Sequence, residues 1–162
     1  MARIENLLRD LGQMLTGQPF ALDAHGLCEL QLVKGLQLVI EPEAGSDTVH
    51  LHSTLARLPP GEIANSVYGE LLTANLFGQG TGGACFAIHR AHDAIVLNRS
   101  FEITWLDSTA FGELVEAFMD AAEYWAARLE SLNREQPTEA AETVNAIRSD
   151  MLQRATDFFF RA

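Results

Sequence analysis

The sequence predicts an α+β fold, in which a twisted antiparallel sheet of about five strands is flanked by three helices and followed by a C-terminal helical tail. In residues 26–55, apolar and polar residues alternate in three short runs that are separated by turns containing Gly or Asp. Such period-two alternation is typical of strands with one buried face. Apolar residues recur at helical spacing on both sides of this region. The chain has 162 residues, of which 48% are hydrophobic, so one domain with a packed core is expected.

The first helix is predicted over residues 3–16, because apolar residues recur there every three or four positions. Gly17 and Pro19 then end it. Three strands form the predicted meander, with turns at residues 34–35 and 43–47. Its inward-facing residues are Leu30, Leu32, Leu36, Leu38, Ile40, Val49, Leu51 and Leu55.

A second helix follows Pro59, Pro60 and Gly61, since proline is accepted in the first turn of a helix. It carries two adjacent apolar rows and ends near Gly78. The rows are Ile63, Val67 and Leu71, and Tyr68, Leu72 and Leu76. Two further strands are predicted over residues 84–89 and 94–99, and an extended piece spans residues 101–106.

Asp107 is a predicted N-cap for a third helix over residues 108–132. The apolar face of this helix consists of Phe111, Leu114, Val115, Phe118, Ala122, Trp125 and Leu129. Pro137 predicts a linker over residues 133–138. We therefore divide the chain into an α+β domain, residues 1–134, and a linker with an amphipathic tail, residues 135–162. The apolar stripe of the tail is Val144, Ile147, Met151, Ala155 and Phe158.

The chain is acidic, with a net charge of −11 and a sequence pI near 4.7. Nucleic acid is a poor partner for such a chain, because binding requires Lys and Arg to displace counterions from phosphates. Anionic membrane surfaces are disfavoured for the same reason. No apolar run is long enough to span a membrane and the N-terminus does not resemble a signal peptide, so a cytoplasmic protein is expected. Cys28 and Cys85 are expected to be buried and reduced.

No catalytic, metal or cofactor site is predicted. Residues 78–83 match G-x-G-x-x-G, but the motif follows a helix and precedes a strand, whereas a dinucleotide loop has the opposite order. His50 and His52 share a strand face, yet no third or fourth ligand has a suitable spacing for zinc. A serine nucleophile elbow is absent from the sequence, and Trp105 and Trp125 are interpreted as core anchors. These observations favour a binding scaffold over an enzyme.

The order of elements resembles the class I type III secretion chaperones, the Tir-chaperone family. The resemblance rests on that order, the acidity, and three stretches of sequence: residues 26–32, residues 38–41 and residues 71–77 before the glycine-rich turn. It also rests on the pattern of the last helix, namely Phe111, Leu114, Phe118, Ala122 and Trp125. It covers residues 1–132, and the tail beyond Pro137 is longer than this fold requires.

The resemblance implies a cytoplasmic bacterial homodimer that binds the N-terminal region of a secreted effector, keeps it extended and delivers it for export. It implies no catalytic site and makes the secretion ATPase a candidate partner. Two alternatives stay open at this point. One is a small dimeric α+β enzyme or ligand-binding domain, and the other is a regulatory adaptor of the secretion system.

Two sets of site residues are predicted. A groove between the first helix and the sheet is expected to bind the effector through Leu7, Leu11, Met14, Phe20, Leu30, Leu32, Leu38 and Ile40. A two-fold interface is expected on the second helix and the following strand, because their apolar rows are wider than one sheet face needs. Its residues are Ile63, Val67, Leu71, Leu72, Phe86 and Ile88.

Overall fold

The computed structural model describes residues 2–61 and 63–133 in full, and its last helix continues as backbone to Phe159. The helices are α1 (Ala2–Thr16), α2 (Ile63–Asn75) and α3 (Ser108–Phe159). The strands are β1 (Cys28–Gln31), β2 (Gln37–Pro42), β3 (Thr48–Arg57), β4 (Cys85–His89) and β5 (Ala94–Glu102). The order of elements agrees with the predicted one.

The five strands form one antiparallel sheet in the order β1-β2-β3-β5-β4. The long central strands β3 and β5 pair along their whole length, with an irregularity between Thr54 and Ala56. Strands β1 and β4 are the two edges, and each has a single neighbour, β2 or β5 respectively. The α+β fold with five strands and three helices is therefore confirmed.

The main core lies between one face of the sheet and the helices α1 and α3. Alternate residues of the strands point into it, as the sequence pattern predicts for a half-buried sheet. The strands contribute Leu30, Leu38, Ile40, Val49, Leu51 and Leu97, and the helices contribute Ile4, Leu7, Leu8, Leu11, Phe111, Val115, Phe118 and Ala122.

A second, smaller core lies beneath α2. It contains Val67, Leu71, Ile95, Trp125, Leu129 and Leu132. A bidentate pair from Arg128 to Glu70, at 2.7 and 3.1 Å, also joins α3 to α2. Both cores therefore use the same helix, α3, whose buried residues recur every three or four positions from Phe111 to Leu132.

Helix α3 begins where the sequence predicts, because the Oδ1 atom of Asp107 accepts a hydrogen bond from the amide of Ala110 at 2.8 Å. It is continuous to Phe159, so the linker predicted over residues 133–138 does not appear as a break. The apolar stripe predicted for the tail lies outside the residues whose side chains are described. The division into residues 1–134 and 135–162 stays a prediction.

Two expectations about individual side chains are wrong. Trp105 is 90% exposed rather than a core anchor, because it lies at the tip of a tight turn between β5 and α3. Trp125 does anchor the second core. Cys85 is exposed because it lies on an edge strand and on the face of the sheet that no helix covers, whereas Cys28 is buried. Burial of Cys28 raises the pKa of its thiol, so this cysteine stays protonated and unreactive.

Gly12 is the point of closest approach between α1 and the segment that follows it. A Cβ atom at Gly12 would lie 2.3 Å from the Gln18 carbonyl oxygen and 2.4 Å from the Phe20 amide nitrogen. Both are backbone atoms, which cannot move aside independently. The chain can therefore fold back along α1 only because position 12 has no side chain.

We predict that Gly12→Ala lowers the free energy of unfolding by about 1–3 kcal/mol, because overpacking forces the backbone apart. Gly112→Ala is the matched control. A Cβ atom there meets only the flexible methyl end of Met14, at 2.9 Å, and alanine favours the helix. Urea denaturation of both variants measures the difference. Equal stability of the two variants would show that the close approach at Gly12 does not constrain the fold.

Candidate functional site

The eight residues predicted for the effector groove divide into two groups. Five of them, Leu7, Leu11, Leu30, Leu38 and Ile40, are buried in the main core. Met14 is 55% exposed, and Phe20 and Leu32 pack partly buried against the same core. A partner could therefore reach Met14, Phe20 and Leu32 without opening the core, whereas the other five are core residues.

Phe20 lines a surface cavity of about 330 Å³ beside strand β1. The cavity is bounded by the segment that connects α1 to β1 and by the strand itself. Its lining residues are Pro19, Phe20, Ala21, Asp23, Leu27, Cys28, Glu29 and Leu30. We call this cavity the β1 groove. Met14 and Leu32 are not among its lining residues, and a Cβ atom at Gly112 of α3 would lie 2.9 Å from the methyl group of Met14. The β1 groove places apolar side chains directly beside an edge strand.

Asp23 orders the wall of the β1 groove. Its Oδ1 atom accepts hydrogen bonds from the amides of His25 at 2.8 Å and Leu27 at 2.9 Å. The Asp23 amide donates in turn to the Leu27 carbonyl at 2.7 Å. The bond from the Leu27 amide is the largest cause of a pKa for Asp23 below the ordinary carboxyl value, because it stabilises the charged form.

The two edges of the sheet differ in their availability. At β4, the Asn75 side chain accepts a hydrogen bond from the Phe86 amide at 2.7 Å and donates one to the Phe86 carbonyl at 3.4 Å. These bonds occupy the outward backbone groups of β4 in the middle of the strand. No such side-chain bond to the backbone of β1 occurs within the described part of the chain. The edge beside the β1 groove is therefore open to an added strand.

A second apolar surface lies on α2, on the turn after it and on β4. Leu72, Leu76, Phe77 and Ile88 are all exposed there, Phe77 by 87%. Ile88 lies two residues from Phe86, whose ring contacts Trp125 edge-on at 4.9 Å, so both side chains point to the helical side of the sheet. We call this the α2–β4 surface. Leu72 lies on α2, Leu76 and Phe77 lie on the turn after it, and Ile88 lies on the edge strand β4.

The six residues predicted for the two-fold interface fall at different depths of the α2–β4 surface. Val67 and Leu71 are buried in the second core, and Ile63 and Phe86 are partly buried against it. Leu72 and Ile88 are exposed. Phe77 was not among the predicted interface residues, although it directly precedes the glycine-rich turn. Its backbone has a φ angle of 55°, in the left-handed region, and its ring is exposed. The spacing of apolar residues in the sequence gives no information about this angle.

The glycine-rich segment after α2 has a structural role. The Gly80 carbonyl accepts a hydrogen bond from the Trp125 indole at 2.7 Å, and the Gly82 carbonyl accepts one from Arg99 at 2.8 Å. The segment thus offers carbonyl oxygens to side chains of its own domain. A phosphate cradle would instead need converging amide groups at the start of a helix.

His50 and His52, on the open face of the sheet, contact neighbouring polar side chains. His50 lies 2.7 Å from the Ser100 hydroxyl, and His52 lies 3.7 Å from the Glu41 carboxylate. Among residues 2–61 and 63–133, no group of three or more His, Cys, Asp or Glu side chains could hold a metal ion. Over the same residues, no helix combines the length and the apolar character that a membrane crossing requires.

Residues 4–126 match the model of the Tir chaperone protein (CesT) family. A protein of Chlamydia pneumoniae designated CPj0713/CpB0740 is 29% identical over 104 residues, which are 64% of this chain and 78% of that protein. The family match thus falls on the α+β part of the chain.

Several solved structures have a similar fold. The ExsC–ExsE complex superposes with a TM-score of 0.64 at 16% identity, over 78% of this chain and 92% of the other. The HopA1–SchA chaperone–effector complex has a TM-score of 0.63 at 18% identity, over 77% and 94%. The ExoU–SpcU heterodimer from the type III secretion system of Pseudomonas aeruginosa has a TM-score of 0.60 at 20% identity, over 80% and 96%. At these identities the likeness is one of fold.

We predict that acid disorders the wall of the β1 groove before it unfolds the domain. Because the pKa of Asp23 is lowered in the folded protein, its stabilising effect is complete above about pH 5 and is lost as the pH falls through that lowered value. The amide resonances of His25 and Leu27 should shift together over this range in NMR spectra. Asp23→Asn should abolish this titration, and Glu43→Gln, which removes an exposed carboxylate elsewhere, should preserve it. A titration that survives Asp23→Asn would contradict the assignment.

Proposed function

The chain belongs to the Tir chaperone protein (CesT) family, and from this membership we propose that it is a type III secretion chaperone that binds the N-terminal region of a cognate effector. It keeps that region extended and promotes its delivery to the export apparatus. The observation that carries the proposal is the β1 groove, where apolar side chains and an open sheet edge lie side by side.

The β1 groove suits an extended segment of another protein. The backbone of β1 provides hydrogen bonds for an added strand, and these are independent of the sequence of that strand. Phe20 provides an apolar contact in the groove for the side chains of that strand, and the predicted residues Met14 and Leu32 are accessible to the rest of the segment. Burying one effector Leu or Ile contributes about 1.5–3 kcal/mol, so a few anchors suffice for tight binding. Of the five buried residues predicted for effector binding, Leu30 lines the groove, and Leu7, Leu11, Leu38 and Ile40 belong to the core.

The α2–β4 surface supports a homodimer. Asn65, Gly69, Leu72 and Leu76 fall on one stripe of α2 and the turn after it, and all four are exposed. A Cβ atom at Gly69 would meet nothing within 4 Å, so this glycine leaves room for a close neighbour. A second α2 helix packed across a two-fold axis would fill that space and cover the exposed leucines. The strained backbone of Phe77 presents its ring to the same interface.

Other parts of the proposal rest on family membership. The protein acts by binding and has no catalytic site of its own, and it works in the bacterial cytoplasm before export. The secretion ATPase is its candidate partner at delivery. Residues 1–134 form the binding domain, since the family match spans residues 4–126 within them.

We predict that Phe20→Asp and Leu32→Asp abolish effector binding and preserve the fold, because neither side chain is fully buried. The effector is first identified by purifying the chaperone from its own bacterium and analysing the bound proteins by mass spectrometry. Its N-terminal region is then co-expressed with each variant, and recovery is measured by affinity purification. Circular dichroism of the free variants measures folding. In the complex, hydrogen exchange should slow at the amides of residues 28–31.

Leu11→Asp is the buried counterpart of these variants, since only 1% of Leu11 is exposed. It should unfold the protein, because an isolated charge in the core is costly. The groove proposal fails if Phe20→Asp and Leu32→Asp bind the effector as well as the unmodified protein does. It also fails if they lose the effector only by losing the fold.

We predict that Leu72→Asp converts the dimer into a folded monomer. Each interfacial leucine contributes about 1.5–3 kcal/mol and is counted twice across a two-fold axis, so the dimer should weaken by at least about a hundredfold. Leu15→Asp is the control, because Leu15 is also exposed and apolar but lies on α1. Analytical ultracentrifugation measures both variants.

Gly69→Leu tests the same interface without adding charge. A leucine at this exposed position fits the monomer freely and favours the helix, so the monomer should keep its thermal stability. Two α2 helices could no longer approach closely, and the dimer should dissociate. If Leu72→Asp and Gly69→Leu both remain dimeric, the two-fold contact lies elsewhere.

A further inference from the structure

Trp105 is the most exposed aromatic residue described in the chain, and neither proposed binding surface includes it. It is 90% exposed, at the tip of a turn that joins β5 to α3. The turn is closed by a hydrogen bond from the Leu106 amide to the Ile103 carbonyl at 3.2 Å. Ile103 and Leu106, which flank Thr104 and Trp105 in the sequence, pack against the main core. The Trp105 side chain between them therefore points into solvent.

The turn that carries Trp105 is rigidly held. The Arg3 side chain donates hydrogen bonds to the carbonyls of Ile103 at 2.6 Å and Leu106 at 2.7 Å. The Thr104 hydroxyl lies 3.2 Å from the Asp47 carboxylate, and the Ile103 amide donates to the Asp47 carbonyl at 2.9 Å. The backbone beneath the indole is therefore ordered before any partner binds. Such preorganisation lowers the entropic cost of using Trp105 as an anchor.

The side chains around this turn are acidic. Glu102 and Asp107 flank it in the sequence, and Glu43 and Asp47 lie on the adjacent β2–β3 turn. All four residues are exposed. The nearby cation, Arg3, directs its guanidinium at the two carbonyls of the turn. A cavity of about 290 Å³ between the two turns is lined by Arg3, Glu43, Asp47 and Ile103, among others.

We propose that Trp105 and these acidic side chains form a further docking surface, which binds a protein segment carrying Arg or Lys. A cation over the indole face gains a cation–π contact, for which tryptophan is the best of the aromatic residues. The four carboxylates favour the same cation and disfavour an anionic or purely apolar segment. Because Trp and Arg are among the residues most often found as interface hot spots, a single such contact can dominate a weak interface.

This docking surface is separate from the β1 groove. Arg3 lies in the first turn of α1, whereas the Phe20 ring lies beside Gly12 nearer its other end, so about 14 Å of helix separates the two sites. The α2–β4 surface lies at the opposite edge of the sheet from β1, whereas Trp105 follows the end of β5. A basic segment could therefore bind here while an effector occupies the groove and a second copy occupies α2.

The test uses a synthetic peptide as the probe and needs no effector. The capped peptide Gly-Arg-Gly-Arg-Gly is titrated into the isotope-labelled full chain, and NMR spectra follow the indole N–H resonances. The resonance of Trp105 should shift and saturate, and that of the buried Trp125 should stay in place. The Gln-substituted peptide, Gly-Gln-Gly-Gln-Gly, should cause no saturating shift. Raising the salt concentration should weaken binding of the Arg peptide.

Two aromatic variants test the role of the indole. Trp105→Ala, followed through the amides of Thr104 and Asp47, should weaken peptide binding about three- to tenfold, as expected for loss of one cation–π contact. Tyr124→Ala is the matched control, because Tyr124 is also an exposed aromatic residue beside acidic side chains. It should change the affinity less than about twofold. Since Trp105 is exposed, its replacement should leave the melting temperature unchanged.

Three results would overturn the proposal. Equal shifts with the Arg and Gln peptides would show that charge plays no part. Shifts that are as strong along the acidic face of α3 as at Trp105 would show that only the net charge of the chain attracts the peptide. If Trp105→Ala instead dissociated the dimer, this surface would be an interface between copies of the chain. None of these three results would contradict the proposal for the β1 groove, which is tested by separate substitutions.

Discussion

The packing of α3 against the sheet is the interaction on which the rest of the structure depends. One face of this helix contributes Phe111 and Phe118 to the main core, and Trp125 and Leu129 to the second core. Helix α1 covers the part of the sheet that α3 leaves open. Helix α2 is attached to the far end of α3 by apolar contacts and by the bidentate ion pair from Arg128 to Glu70, and to β4 by the Asn75 side chain. A change that weakens α3 would therefore release both α1 and α2.

This arrangement explains where apolar surface remains exposed. Although α1, α2 and α3 all pack on the same face of the five-stranded sheet, apolar side chains near both of its edges reach solvent. At β1 the uncovered residues lie beside an open backbone edge. At β4 they lie beside α2, and the Asn75 side chain occupies the backbone groups of Phe86. The first edge therefore suits an added strand, whereas the second suits contact between helices.

Much of this fold could be predicted from the sequence, because alternation and helical spacing report which face of an element is apolar. The five strands, the Asp107 cap and the inner face of α3 follow from such patterns. However, the spacing of apolar residues does not show which of them another helix or strand will cover. Leu11 and Met14 belong to the same apolar stripe of α1, yet the structure buries the first and exposes the second. Trp105 and Phe77 depend on turn geometry, which no spacing rule describes.

The two proposed binding surfaces, the β1 groove and the acidic turn at Trp105, differ in the chemistry of the partners that they bind. Apolar contacts and backbone hydrogen bonds at the β1 groove are largely independent of salt, whereas attraction between carboxylates and a cation is screened by it. A segment bound at Trp105 should therefore respond to ionic strength and an effector strand in the groove should not. Since the two sites lie at opposite ends of α1, they can differ in this way without competing for the same residues. One small domain can thus bind an effector at the β1 groove and, independently, a basic segment at the turn that carries Trp105.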